Sequence, residues 1–298
     1  MKKILAAAAI VVFAAALILP FTQSVPTGEQ RADGLYFGKM KTMQMKRVFK
    51  AQNYNMLDVL ENKKPVPRLF VHSVPVDFNR SKFDDERPAL FTEMMLPVIM
   101  KANKAVLNER AEIERLQSKF DARTPFLPQE AAWLENTAKK YDIDFDTEDL
   151  ALSFRTLLLH VDSVPPSLLL AMAAEDSGFA TSRYAREYNA VFHARNWDGG
   201  GVAADEKDSD GASWRINTYP TLYDAVSARI VWLNSGVRFS SFWDDRAIYR
   251  QGKSVLYGAD TTRAFRLFPD RDFKYPDYLK HLILQYGWSP LDRAENPN

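Results

Sequence analysis

From Pro88 onward, apolar residues recur at helical spacing. Leu90, Met94, Ile99, Val106, Ile113 and Leu116 are separated by Lys, Asn, Glu and Arg. The spacing predicts a long helix over 88–119, with a kink where Pro97 removes a backbone donor. A second helix is predicted over 128–140, opening on Pro128 and holding Trp133 and Leu134. A third is predicted over 147–160. The charges between their apolar positions form a solvated face, so residues 86–160 read as a helical scaffold. Residues 25–85 show scattered prolines and no sustained period. They are expected to be irregular, with one short strand at 68–72. The polar stretch FNRSKFDDER (78–87) reads as a loop.

The N-terminus has a different pattern. Lys2-Lys3 precede an apolar run from Ile4 to Leu19 that Pro20 breaks. A membrane span needs about 20 apolar residues, so residues 1–24 read as a secretory signal, with an uncleaved anchor as the open alternative. The expected location is therefore exported: periplasmic or in the cell envelope.

Composition narrows the class. Lys and Arg number 39 against 38 Asp and Glu, which gives no basic excess for nucleic-acid binding. Apolar residues make up 46%, enough for a packed core. Cysteine is absent and histidines number 4, which removes disulfides, thiolate metal sites and cysteine nucleophiles. No cofactor and no metal are expected. Residues 205–211 (DEKDSDG) lack the first Asp and last Glu of a calcium loop. Gly199-Gly200-Gly201 opens no helix, so it does not cradle phosphate.

The stretch SVPPSLLLAMAAEDSG (163–178) carries the chemistry. Ser163 suits an N-cap and Pro165-Pro166 the first helical turn. Leu168, Leu169, Leu170 and Met172 make the helix apolar on most sides. Ala171, Ala174 and Gly178 give it a small-residue face. Glu175 and Asp176 then fall at its C-terminal end, where the macrodipole disfavours negative charge. Carboxylates so placed tend to hold their proton, as a general acid must. Adjacent helix residues point about 100° apart, so only one of the two addresses a given cleft.

The run VPPSLLLAMAAEDSGFATSRYAREYNAVFHARNW (164–197) resembles the core motif of the Bax-like branch of bacterial glucosaminidase domains, IPPSLxLAQAANESGWGTSRFAREGNALFGQW. WRINTYPTLYDAVSARIVWLN (214–234) resembles the family's hairpin strand and following helix. LFTEMMLPVIMKANKAVLNER (90–110) resembles the helical region before the catalytic domain. The resemblance implies a mainly α (α+β) fold: a lysozyme-like helical domain with a small β-hairpin lobe over 161–287. A helical region precedes it, and a disordered tail follows over 288–298. It also implies a peptidoglycan hydrolase of the endo-β-N-acetylglucosaminidase type, related to glycoside hydrolase family 73. The partner would be peptidoglycan glycan strands, with other envelope proteins as further candidates. Membrane contact would run only through an uncleaved N-terminal segment.

The family acid is the Glu of NESG, and Asp176 stands at that position, with Glu175 in place of the Asn. Asp is one methylene shorter, a retreat of about 1 Å that can cost on the order of 10²-fold in rate. Phe179, Ala180, Met172 and His193 also depart from the motif, and Phe268 replaces a family Tyr while Tyr275 is kept. Asp176 is the candidate acid and Glu175 its alternate. The second carboxylate is expected from the 205–210 insert: Glu206 or Asp208, with Asp205 and Asp210 as further candidates. Phe179, Asn189, Phe192, His193, Trp197, Trp214, Phe268 and Tyr275 are the candidate substrate-binding residues, and Tyr219 and Tyr223 are further stacking candidates. Two rivals stay open. One is a non-catalytic glycan-binding or assembly protein that keeps the groove, and the other is a regulatory partner of another wall enzyme acting through 88–160.

Overall fold

The computed structural model describes residues 25–205, 214–266 and 274–294. The signal or anchor at 1–24 lies outside them, as do Glu206, Asp208, Asp210, most of the calcium-like loop, and Phe268. Among the described residues no helix is long and apolar enough to cross a membrane.

Region 25–85 is more ordered than its pattern predicts. Strands β1 (Glu29–Arg31) and β2 (Gly34–Phe37) form an antiparallel hairpin. Strand β3 (Leu69–Val71) joins β2 in parallel, with Leu35 opposite Leu69 and Phe37 opposite Val71. Helices α1 (Thr42–Ala51) and α2 (Met56–Leu60) make the crossover that a parallel pair requires. Helix α1 buries Met45, Val48 and Phe49 along one stripe. Its first turn is capped from a distance, because Asp77 accepts from the Thr42 amide at 2.8 Å and its hydroxyl at 2.9 Å. The 78–87 segment is a loop with one 3₁₀ turn that buries Phe83.

The scaffold helices form where the periodicity puts them. Helix α3 (Arg87–Asp121) runs through Pro97, and α4 (Pro128–Lys140) opens on its proline. Helix α5 (Leu150–His160) starts later than expected, because Asp149 caps it through the Leu152 amide at 3.0 Å.

At the centre lies α6 (Pro166–Ser177), buried on nearly every face. Helix α7 (Arg183–Tyr188) follows, then a three-stranded lobe in the order β4 (Arg195–Asn196), β6 (Arg215–Ile216), β5 (Val202–Ala203), all antiparallel. This lobe has its own small core of Tyr184, Ala190, Trp214 and Ile216. Helices α8 (Leu222–Leu233), α9 (Ser240–Gln251), α10 (Gly258–Thr261) and α11 (Tyr275–Gln285) complete the fold. It is a mainly α, α+β architecture with a small strand lobe. One continuous apolar core runs from Tyr36 to Leu291, with α3 packed on both α6 and α8. Residues 86–160 therefore share a core with the helices that follow.

Two expectations need correction. Ser163 does not cap α6: Pro165 holds the N-cap position, without a side-chain bond. The cap comes from the far end of the chain, because Asp292 accepts from the Ser167 amide at 2.8 Å and hydroxyl at 2.7 Å. The described part of the expected disordered tail, residues 288–294, is accordingly folded. Ser289–Arg293 forms a 3₁₀ turn with Leu291 fully buried, and Trp288 donates to Thr92 of α3 at 3.1 Å. Gly258 permits this closure. Its amide donates to Asp292 at 2.8 Å, and a Cβ there would lie 2.3 Å from the Ser167 hydroxyl and 2.8 Å from the Leu168 amide.

Candidate functional site

The C-terminal end of α6 is a tight left-handed turn. Gly178, Phe179 and Ala180 have φ of 57°, 54° and 62° in succession. Two of the three carry side chains, and each non-glycine residue in this region costs roughly 1 kcal/mol. The turn is held by Ser177, whose hydroxyl donates to Ala173 and accepts from the Ala180 amide at 2.7 Å. The Ser182 amide donates to the Ser177 carbonyl at 3.0 Å. Ser182 then caps α7 through the Ala185 amide at 3.1 Å.

This turn sets the two acids apart, as helical geometry requires. The Asp176 side chain is 1% exposed, and Arg229 of α8 donates to it at 3.2 Å with 7% exposure of its own. The Arg229 guanidinium also donates to the Phe192 carbonyl and lies over the Phe192 and Trp232 rings, 4.8 Å from each centroid. A neighbouring guanidinium favours the carboxylate anion, whereas a general acid needs the protonated form. Glu175 is half-buried and faces Tyr278 of α11. Burial, and after it the Glu175 charge, push the Tyr278 hydroxyl above its ordinary range.

Arg229 is the site residue that sequence reasoning missed. A signal was present: in α8 the buried positions are Leu222, Ala225, Val226, Arg229, Ile230 and Leu233, so one arginine occupies a core position of an otherwise apolar stripe. Arginine is almost never buried unless paired, and the pairing acid is the one at the end of α6.

The other candidates fall into three groups. Asn189, Phe192 and Trp214 are buried and used for packing or positioning. Asn189 is left-handed at the end of α7, accepts from the Val74 amide at 3.3 Å, and donates to the Tyr219 and Pro220 carbonyls at 3.1 and 3.2 Å. Phe192 supports Arg229, and Trp214 lies in the lobe core under the Arg195 guanidinium. Phe179 packs edge-on against Phe91 and Tyr286, near Trp288. Tyr275 is buried at the start of α11.

His193 is half-buried with φ of 47°, its ring 5.2 Å from Tyr184 and 6.5 Å from Trp214. Tyr219 is half-buried, and Tyr223 lies against the Lys101 ammonium. Trp197 differs from all of these: it is 64% exposed, beside the first strand of the lobe.

Of the candidate insert carboxylates only Asp205 is described. Arg183 donates to it at 2.7 Å, which holds the Arg183 guanidinium above its ordinary value, and the Tyr184 hydroxyl accepts from its amide at 2.6 Å. Arg186 donates to the Thr181 and Val76 carbonyls and so braces the turn after α6. Cavities of about 220, 420 and 760 Å³ lie elsewhere, and neither Glu175 nor Asp176 lines any of them. Among the described residues no group of three His, Asp or Glu is placed to hold a metal ion.

Residues 157–287 match the glucosaminidase family, described as mannosyl-glycoprotein endo-beta-N-acetylglucosaminidase. The matched segment spans α6, α7, the strand lobe and α8 to α11, and so includes the paired acid at the end of α6. The chain is similar to a Bax-type protein as well. It is 26% identical over 193 residues to "Protein bax" of Escherichia coli (strain K12), covering 65% of this chain and 67% of that one. Among solved structures it is similar to the catalytic domain of the autolysin Auto from Listeria monocytogenes. The identity there is 18%, the coverage 61% of this chain and 97% of that one, and the TM-score 0.34, too loose to fix shared geometry.

Proposed function

We propose that the protein is exported to the cell envelope and acts on the N-acetylglucosamine-containing glycan of peptidoglycan, as an endo-β-N-acetylglucosaminidase-type hydrolase with an atypical acid. The observation that carries this reading is the glucosaminidase match over 157–287, with a carboxylate retained at the end of α6. Asp176 protonates the leaving glycosidic oxygen once the glycan has drawn Arg229 away, and a carboxylate from the insert assists the departing sugar. Trp197 stacks on a sugar ring from the strand lobe.

A specific observation favours a second reading. With its side chain 1% exposed and bound to Arg229, Asp176 is a counter-ion as folded. A protein that binds or organises glycan without cutting it needs nothing more from this position.

New reducing ends released from purified peptidoglycan separate the two. If the first reading holds, the full-length protein releases them and Asp176→Ala drops the rate by at least about 10²-fold. If wild type is silent and Asp176→Glu releases ends, the groove is intact and the natural protein is a binder. If wild type cuts and Asp176→Ala cuts equally well, Asp176 is not the acid, and Glu175→Gln tests the alternate. Silence of all three proteins, with no binding to the polymer, rejects both readings for this substrate.

A further inference from the structure

Helix α6 has a second end, about 15 Å from the acids at 1.5 Å per residue. A cavity of about 760 Å³ opens there, between α3, the α6 N-terminus and the end of α9. That volume suits a small molecule. Its wall is unbalanced in charge: Lys104, Arg246, Arg250 and Lys253 face it with Asp292 as the one carboxylate, while Met100 and Leu256 give it an apolar side.

The cations are of two kinds. Arg246 is buried and built in. It donates to the Leu159, His160, Asp162 and Ser163 carbonyls and to the Asn234 side chain, satisfying the end of α5. Burial lowers its guanidinium to about 10, as expected for a cation short of counter-charge. Beneath it Asp162 is the shared carboxylate, paired with Arg250 and lying 3.4 Å from Arg110. The Asp162 carboxylate thus serves two guanidiniums directly, while Arg246 meets only its backbone carbonyl.

Lys104 and Lys253 are the second kind. They are exposed at the rim and make no ion pair among the described residues. Lys253 ends α9 in the left-handed region, with φ of 50°, although Gly252 is its neighbour. A glycine would take that conformation without strain, and the chain instead spends it on a cation at the cavity mouth. Nothing in the glycan reading uses this surface, which lies at the opposite end of α6.

We propose that this cavity is a binding site for a small polyanion, a molecule bearing two or more carboxylate or phosphate groups, with Lys104 and Lys253 as its outer cations and Arg246 as its floor. The site does not depend on the hydrolase reading.

Calorimetric titration of the full chain with citrate and with pyrophosphate tests it, in 50 and 300 mM salt. The expected result is saturable one-site binding of at least one probe, weakened several-fold by the higher salt. The double variant Lys104→Glu/Lys253→Glu should lose it by at least tenfold while keeping its unfolding midpoint. Citrate alone binding identifies a carboxylate ligand, pyrophosphate alone a phosphate ligand, and both a site that reads charge. No binding of either probe overturns the proposal. So does binding that the double variant retains in full, or weak binding at many sites, which means adventitious ion binding only. Lys104→Gln/Lys253→Gln controls for folding: if the Glu variant unfolds, loss of binding in the Gln variant supports the site and full retention overturns it.

Discussion

The two ends of α6 each hold a carboxylate, half-buried Asp292 at one and buried Asp176 at the other, and the helix treats them in opposite ways. At the N-terminus Asp292 reaches in from the 3₁₀ turn Ser289–Arg293 and accepts from two backbone amides and a hydroxyl, with the macrodipole in its favour. At the C-terminus Asp176 stands against the dipole, and its charge is balanced by Arg229. The first end closes the chain on itself with hydrogen bonds. The second holds a charge that helix physics disfavours and keeps it with a dedicated cation. Perturbed carboxylates held by a dedicated cation are the kind of group that clusters at functional sites, and the glucosaminidase match covers the whole of α6.

The contrast breaks most readily at Arg229. Arg229→Ala leaves Asp176 buried without its cation, which should cost about 3–5 kcal/mol. Urea unfolding monitored by tryptophan fluorescence reads it, and a loss under 1 kcal/mol would mean that Asp176 finds water or another partner.

Acidity distinguishes the ends next. Burial raises Asp292 from an ordinary 3.8 to about 6, despite its three hydrogen bonds. A folded value above the unfolded one means that protonation favours the folded state. That contribution is full below about 4 and is lost as pH rises through about 6. The difference is linked to stability on the order of 3 kcal/mol. Glu93 on α3, which burial raises to about 7, adds to the same trend. Stability measured from pH 5 to 8 should therefore fall with pH, and Asp292→Asn should flatten the part below about 6. An unchanged profile in that variant would refute the assignment.

The smallest effect lies in the turn that separates the acids. Gly178 has φ of 57°, and a Cβ there would meet the Thr181 hydroxyl at 3.1 Å. Gly178→Ala should cost about 1 kcal/mol, visible as a fall of a few degrees in Tm. A neutral result would show that the left-handed run relaxes freely.

Much of the helical fold was legible because its helices are long enough for their period to register. Helix α3 lies at 87–121 where the spacing predicts 88–119, and α4 at 128–140 as read. The N-terminal sheet was not legible. Strands of three or four residues carry too little alternation, and the partners β2 and β3 are separated by two helices. The tail hid its role for the same reason, since SPLDR offers no period. Only the fold brings Asp292 to Ser167, 125 residues away in sequence. At the site the two acids were legible from their place on α6. Their environment was not, because it depends on an arginine 53 residues downstream. The apolar stripe of α8 was the available clue, with Arg229 as its one charged member. Phe192 and Trp214 looked like groove aromatics because sequence does not distinguish a stacking ring from a packing one.

The central claim is that Asp176, at the position the resemblance gives to the acid, is an ion-pair partner of Arg229. A double-mutant cycle of Asp176→Asn and Arg229→Met, read by urea unfolding, tests it most directly. The account predicts a coupling energy of about 2 kcal/mol, with the double variant more stable than Arg229→Met alone. Additivity within about 0.5 kcal/mol would contradict it, and would mean that the two charges at the end of α6 are held independently.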